Sequence, residues 1–230
     1  MSECKTAVVA GASGLTGSHI VDTLLASPHY GQVVALVRKP LGRSHPNLRE
    51  IPTGFNGPSD LQIDDVFCAL GTTIRKAGSK EAFVKVDKQI PLEFAQWALK
   101  QGARQFALVS SVSADPKSGT FYLQIKGELE AELNAMNFQS VHVARPSFLL
   151  GDRKEHRLGE RIGIAAAALV QPLLIGGLRM YRSIESQTVA KALVNASVQK
   201  KPGRFVYHYD GLVKLAAFNL LIHISLILIA

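Results

Sequence analysis

The sequence is poor in the residues that build metal and redox centres. It contains two cysteines, Cys4 and Cys68, which are far apart and form no C-x-x-C motif. Its seven histidines are scattered without the spacing of zinc ligands, so no metal site is predicted. Cys68 lies in an apolar run, which indicates a buried thiol, and a reducing cytoplasm is the simplest setting for so few cysteines.

Clusters of charge of one sign are also missing. The chain carries 26 lysine and arginine residues against 18 aspartate and glutamate residues, for a formal net charge of +8. This excess would suit a phosphorylated cofactor, a nucleic acid or a membrane surface. However, no run of five basic residues occurs, and basic residues are not interleaved with aromatic ones as in proteins that bind single strands. No nucleic-acid partner is therefore expected.

Long apolar runs are scarce as well. The first 11 residues lack the basic start and long apolar core of a signal peptide. The closing stretch 215–230 is apolar, but it is interrupted by Asn219, His223 and Ser225 and is shorter than the ~20 residues that cross a bilayer. It would be a marginal membrane anchor, a strand or helix packed on the body or on a second copy, or a segment foreign to the natural protein. Membrane association is the less expected of these.

Short apolar runs alternate along the chain with stretches of helical spacing. The first run, residues 5–11, shows no polar alternation, which is typical of a strand buried on both faces. Similar runs begin near residues 32, 65, 105 and 140, and amphipathic patterns separate them. This alternation predicts an α/β fold, a doubly wound, Rossmann-like parallel sheet with helices on both faces. Residues 48–64 leave no room for a crossover helix, so a short strand and a loop are expected there.

A glycine-rich segment joins the first predicted strand to the first predicted helix. Gly11, Gly14 and Gly17 are spaced G-x-x-G-x-x-G. A dinucleotide site needs a tight turn, a close approach of the backbone to the pyrophosphate and close packing of helix on strand, and each of these excludes a Cβ atom. The helix N-terminus then offers N–H groups to the phosphates. The residues that would supply the intervening backbone and hydroxyl groups are Ser13, Leu15 and Thr16.

The end of the second predicted strand bears on the choice between NAD and NADP. NAD sites usually have an acidic residue there, which accepts a hydrogen bond from the ribose 2′-hydroxyl. This sequence instead has Arg38 and Lys39, with Arg43 close behind. Two cations suit a 2′-phosphate, so NADP(H) is the predicted cofactor, with a solvated basic turn as the alternative.

Tyr122 and Lys126 lie four residues apart near the start of a predicted amphipathic helix, and residues at this spacing share one helix face. The preceding strand ends at Ser110 and Ser111, on the edge where parallel sheets bind ligands. Carbonyl reduction needs a proton for the oxygen, and a lysine ammonium stabilises the phenolate of a tyrosine that donates one. A serine hydroxyl would hydrogen-bond the substrate oxygen. Either Ser110 or Ser111 could do so, and Ser113 is a weaker candidate.

With this set of motifs, the sequence resembles the short-chain dehydrogenase/reductase superfamily in its extended or atypical branch. More narrowly, it is similar to the Tat-interactive-protein-like oxidoreductases and their bacterial relatives. The segments that carry the similarity are GASGLTG, CALGTTIRKAGSKEAFVKVD, SADPKSGTFYLQIKGELEAEL and ARPSFLLGDRKEHRLGE. The block from Cys68 to Asp87 is the most specific of them, and nothing beyond about residue 212 is matched.

The resemblance implies an NADPH-binding protein in which Tyr122 and Lys126 form the catalytic pair, with Ser110 or Ser111 as the third member. The residues that it implies for cofactor binding are Ser13, Gly14, Leu15, Thr16, Arg38, Lys39, Leu70, Gly71, Tyr122, Lys126, Leu149 and Arg157.

The leading hypothesis is a cytoplasmic, NADP(H)-dependent oxidoreductase that acts on a small carbonyl or alcohol substrate. It would be a monomer or a homodimer, with one domain over residues 1–211 whose substrate side begins near residue 150, and an apolar tail over residues 212–230. The alternative is an NADPH-binding regulatory or scaffold protein with little turnover. A sugar-nucleotide epimerase ranks last, because the chain after residue 150 is short for a large nucleotide-sugar lobe.

Overall fold

The computed structural model describes residues 4–52, 61–151 and 173–218. The strands are β1 (Lys5–Ala10), β2 (Tyr30–Val37), β3 (Leu48–Pro52), β4 (Asp65–Cys68), β5 (Gln105–Val109), β6 (Ser140–Ala144), β7 (Leu149–Leu150), β8 (Ile184–Glu185) and β9 (Gly203–Tyr207). Within the described residues, seven of them pair in parallel in the order β3-β2-β1-β4-β5-β6-β9. The strands β7 and β8 form a separate parallel pair. The predicted parallel sheet is confirmed.

Helices cover both faces of this sheet. They are α1 (Leu15–Leu25), α2 (Ile74–Ala77), α3 (Lys80–Val84), α4 (Ile90–Lys100), α5 (Phe121–Ala135), α6 (Ser186–Val198) and α7 (Tyr209–Ala216). A π-helical turn, Lys85–Gln89, joins α3 to α4, and a 3-10 helix covers Gly176–Tyr181. Because successive strand residues point to opposite faces, Val9 packs with α1, α6 and α7 while Val8 packs with α4 and α5.

The predicted boundary between residues 211 and 212 lies inside α7. Leu212 is fully buried against the core that α1 and α6 share. The side-chain amide of Asn195 on α6 donates to the carbonyl oxygens of Leu215 at 2.8 Å and of Phe218 at 3.1 Å. The packed part of the fold therefore continues at least to residue 218, because the start of the apolar stretch belongs to a packed helix. In the described part of the chain, no helix combines the length and the apolar character of a membrane span.

Buried polar side chains form a chain of hydrogen bonds towards the amino end of the central strands. Asp65 accepts from Lys5 and from Tyr30, both at 2.7 Å. It also accepts from Gln105 at 2.8 Å, and the other amide atom of Gln105 lies 3.4 Å from a ring nitrogen of His142. Burial lowers the pKa of His142 to about 4, so its ring is neutral at physiological pH. These polar groups satisfy one another, which gives this end of the sheet a structural role.

Candidate active site

The carboxyl ends of β1 and β4 are held together at the other edge of the sheet. Gly11 follows β1 with a φ of +84°, a left-handed conformation that favours glycine. A Cβ atom on Gly11 would lie 2.6 Å from the carbonyl oxygen of Ala69, which follows β4. The turn after β1 can therefore be made only by a residue without a side chain, as its position in the motif predicts.

The glycine loop closes tightly in front of α1. The N–H of Gly14 donates to the carbonyl of Gly11 at 2.9 Å, and α1 begins at Leu15 without a side-chain cap. A Cβ atom on Gly17 would lie 2.0 Å from the carbonyl oxygen of Gly11. The helix N-terminus thus sits directly on the loop, with Ser13 exposed beside it. This cradle, which Cβ atoms would fill, fits the pyrophosphate of a dinucleotide.

The predicted 2′-phosphate site lies directly after β2. Arg38 and Lys39 are both exposed there, and within the described residues neither forms an ion pair. Arg43 differs, because its guanidinium pairs with Asp22 of α1. Two of the three predicted cations are thus available to an anion, whereas the third is already engaged.

Of the other residues predicted to contact the cofactor, some lie near this edge of the sheet. Leu70 follows Ala69, and its backbone nitrogen lies 2.9 Å from the position of a Cβ on Gly11. Thr16 is buried in the first turn of α1. Leu149 is half-buried in β7 and packs against the core that includes α1. Arg157 lies outside the described residues.

The Tyr–Lys pair lies on α5, at the same edge. Lys126 is 3% exposed, and its Nζ is 2.8 Å from Oδ1 of Asp87. A Cβ on Gly71, which follows Leu70, would lie 3.8 Å from that Nζ. Tyr122 precedes Lys126 by one helical turn, and its ring packs 5.7 Å, centroid to centroid, from that of Phe83. The glycine loop and the lysine ammonium are therefore linked by the short segment that follows β4.

Asp87 sets the charge of Lys126. Burial disfavours the ammonium form, but the carboxylate of Asp87 and the phenol oxygen of Tyr122 outweigh this effect and raise the pKa of Lys126. In the sequence, Asp87 closes the family motif that begins at Cys68, and the resemblance assigns it no role. The spacing could have revealed Asp87, because it lies four residues after Phe83 and four before Pro91, on one apolar helix face. All three residues are buried in the structure. A carboxylate on a buried face needs a partner.

Ser110 is one of the two serines predicted as the third member of the site, and its hydroxyl already has a partner. It is 7% exposed, and its hydroxyl donates to Oε1 of Glu130 on α5. Glu130 is itself 3% exposed and accepts from Arg145 at 2.6 Å and 3.0 Å. The Ser110 hydroxyl therefore belongs to a buried ion pair that links the ends of β5 and β6 to α5. An ionised carboxylate at this depth needs several hydrogen-bond donors.

Two further serines follow Ser110 at the edge. Ser111 is half-buried, and its hydroxyl makes one long contact, 3.4 Å to the carbonyl of Val112. Ser113 has a φ of +61°, and its hydroxyl lies 3.3 Å from that of Tyr181 in the 3-10 helix. Ser111 is consequently the serine whose hydroxyl is least committed. No group of three or more histidine, cysteine or acidic side chains within the described residues could hold a metal ion.

Removing Arg145 should cost far more stability than removing an exposed arginine. Arg145→Met would leave the Glu130 carboxylate buried without its counter-ion, so the free energy of unfolding should fall by about 3–5 kcal/mol. Arg179→Met is the matched control, because Arg179 contacts Asp210 on the surface through the same two nitrogens, Nε and Nη2. Urea denaturation of both variants measures the difference. Equal losses of unfolding free energy in the two variants would show that the buried ion pair contributes no more to stability than the exposed one.

The chain is similar to several known proteins. The model of the "NAD dependent epimerase/dehydratase family" matches residues 7–137. Protein HTATIP2 of Rattus norvegicus is 37% identical in an alignment of 164 residues, which covers 68% of this chain and 67% of the rat protein. "Protein FMP52, mitochondrial" of Coccidioides immitis is 32% identical in an alignment of 219 residues, which covers 86% of this chain and 87% of the fungal protein. The structure "MoeE5 in complex with UDP-glucose and NAD" superposes with a TM-score of 0.64 over 92% of this chain and 81% of its own, at 18% identity, which shows a shared fold.

The predicted cytoplasmic location is wrong in the light of these relatives. FMP52 proteins from several fungi carry the designation mitochondrial. The prediction failed because a scarcity of cysteine indicates a reducing environment and does not distinguish one reducing compartment from another.

The family model covers both the glycine loop and the Tyr–Lys pair of the candidate site. Residues 7–137 include the glycine loop, the segment after β4 and the Tyr–Lys pair on α5. The rat relative confirms the predicted similarity to Tat-interactive-protein-like proteins. On its sequence and its Rossmann-like fold, the chain belongs to the NAD dependent epimerase/dehydratase family.

Proposed function

We propose that the chain is an NADP(H)-dependent oxidoreductase that interconverts a small carbonyl compound and its alcohol. The bound cofactor would supply or accept the hydride. The observation that carries the proposal is the line of close contacts along the sheet edge, in which Gly11 abuts Ala69 and the nearby Gly71 lies against Lys126. A dinucleotide that lies across this line would have its pyrophosphate at the glycine loop and its nicotinamide near the ammonium.

Each residue of the site would have a distinct task. Tyr122 would give its phenol proton to the substrate oxygen during reduction and take it back during oxidation. Lys126 would stabilise the phenolate with its positive charge and would donate to the nicotinamide ribose. Ser111 would hydrogen-bond the substrate oxygen, because the hydroxyl of Ser110 is already bound to Glu130.

The function is tested first with the wild-type protein. Titration with NADPH, followed by fluorescence, measures binding, and a panel of aldehydes and ketones is then screened for loss of NADPH absorbance. We expect saturable binding and consumption of NADPH with at least one carbonyl class. Tight binding with no consumption by any substrate would favour the alternative of a regulatory NADPH-binding protein. Absence of binding would refute both.

Arg38 and Lys39 should decide the preference for NADP(H). The double variant Arg38→Ala/Lys39→Ala is expected to bind NADPH at least about tenfold more weakly, because charge-assisted hydrogen bonds to the 2′-phosphate are lost. Its affinity for NADH should not change. The control Lys100→Ala/Arg104→Ala removes the same charge at the other end of the sheet, where both residues are exposed. An equal loss for NADH and NADPH would contradict the assignment.

A further inference from the structure

Asp87 is a carboxylate with no access to solvent. Its Oδ2 accepts the backbone N–H of Thr72 at 2.8 Å, and its Oδ1 lies 2.8 Å from Nζ of Lys126. Oδ1 makes no well-aligned hydrogen bond to any described group, so the attraction of the lysine charge is what compensates its burial. The two groups form an ion pair that neither could leave without a large loss of free energy.

This ion pair connects three elements beside the candidate nicotinamide site. Asp87 belongs to the π-helical turn Lys85–Gln89, Thr72 to the segment after β4, and Lys126 to α5. Gly71 lies against both charges, since a Cβ there would be 3.6 Å from Oδ1 of Asp87 and 3.8 Å from Nζ of Lys126. π-Helical turns often occur at functional sites, where they place a side chain that a regular helix would direct elsewhere.

Among the residues that the structure describes, few titratable groups face Lys126. They are Asp87 from the π-helical turn, Tyr122 on α5 itself and Cys68 from β4. Burial raises the pKa of Cys68 to about 11, so its thiol is neutral below that pH. Within the described residues, Asp87 is therefore the one carboxylate in contact with the ammonium.

We infer that Asp87 is a positioning residue of the dinucleotide site, whose carboxylate keeps Lys126 charged and fixed beside Gly71. The inference rests on the proposed function, because Lys126 is assigned there to the nicotinamide ribose. With the carboxylate present, Lys126 keeps its charge throughout the neutral range. Without it, burial alone would act on the ammonium and lower the pKa of Lys126, so that the charge would be lost as pH rises from about 6 to 10.

The first test needs no cofactor. In Asp87→Asn the folded-state pKa of Lys126 would lie below its unfolded value, so the unfolded state would bind more protons and stability would rise with pH. The unfolding equilibrium constant of this variant, relative to wild type, should then fall by up to about tenfold per pH unit between pH 6 and 10. The wild-type contribution of Lys126 should stay constant in this window, because its pKa is raised. A purely steric role of Asp87 would give a loss that does not depend on pH.

The double variant Asp87→Asn/Lys126→Met provides the control. It holds neither buried charge, so we expect it to fold and to show no such pH dependence. If Asp87→Asn is too unstable to measure at low pH, the double variant should still be folded there. Both variants unfolded across the range, or both parallel to wild type, would overturn the inference.

The second test measures NADPH affinity against pH. Asp87→Asn should bind close to wild type at low pH and lose up to about tenfold in affinity per pH unit above the new pKa of Lys126. The double variant should bind weakly at every pH, whereas wild type should vary little. If wild type binds no NADPH, the proposed function fails, and the unfolding data alone decide the role of Asp87.

Discussion

Replacing Gly17 with alanine is expected to abolish dinucleotide binding. The added Cβ would lie 2.0 Å from the carbonyl oxygen of Gly11. The loop cannot move aside, because the N–H of Gly14 is hydrogen-bonded to the carbonyl of Gly11, and Gly11 packs against the backbone of Ala69. The first turn of α1 must move instead, which takes its N–H groups away from the phosphates. The same overpacking should lower the free energy of unfolding by about 1–3 kcal/mol.

Gly119→Ala is the matched control for this variant. No atom lies within 4 Å of a Cβ at Gly119, and its φ is not positive. NADPH titration and urea denaturation should therefore give wild-type values, within about 0.5 kcal/mol for unfolding. Wild-type NADPH affinity in Gly17→Ala would show that the loop after β1 does not hold the pyrophosphate.

Replacing Tyr122 with phenylalanine should remove most turnover while leaving NADPH binding intact. The variant loses the hydroxyl that would carry the proton, and general acid–base groups contribute typically 10²–10⁴-fold to rate. The ring is kept, so its packing on Phe83 at 5.7 Å between centroids is kept as well. We expect kcat to fall by at least about a hundredfold with the best substrate of the screen. Steady-state kinetics and NADPH titration measure the two effects separately.

Tyr209→Phe is the corresponding control. Tyr209 lies beneath the guanidinium of Arg182, 5.9 Å from its ring centroid, and this contact needs no hydroxyl. The control should keep wild-type kcat and stability. A Tyr122→Phe protein with a kcat near wild type would reject the proton-transfer role, and the oxidoreductase proposal would then need another acid at this edge.

Local patterns were enough to predict the sheet and the glycine loop. Strands such as β1 are buried on both faces, so their sequences are short apolar runs. The six residues of β1 are enough to show this pattern. The need for glycine at Gly17 arises within the loop, from the carbonyl of Gly11, and the φ of +84° at Gly11 itself favours glycine. Such features depend on neighbouring residues, so a pattern along the chain reports them faithfully.

The partners of buried charged residues could not be predicted from patterns along the chain. Asp87 meets Lys126 from 39 positions away, and Ser110 meets Glu130 from 20 positions away, across the loop that precedes α5. Which of the two serines contacts Glu130 could not be predicted from the sequence, because Ser110 and Ser111 are chemically identical and adjacent.

The amino-acid sequence by itself thus determined the α/β class, the cradle for a dinucleotide and the Tyr122–Lys126 pair, since each follows from periodicity or short-range geometry. Only the tertiary structure decided that Asp87 is the counter-ion of Lys126 and that Ser110 belongs to the pair of Glu130 and Arg145. The physical reason is that a buried charge must be paired, and the sheet order, which the sequence does not state, selects its partner.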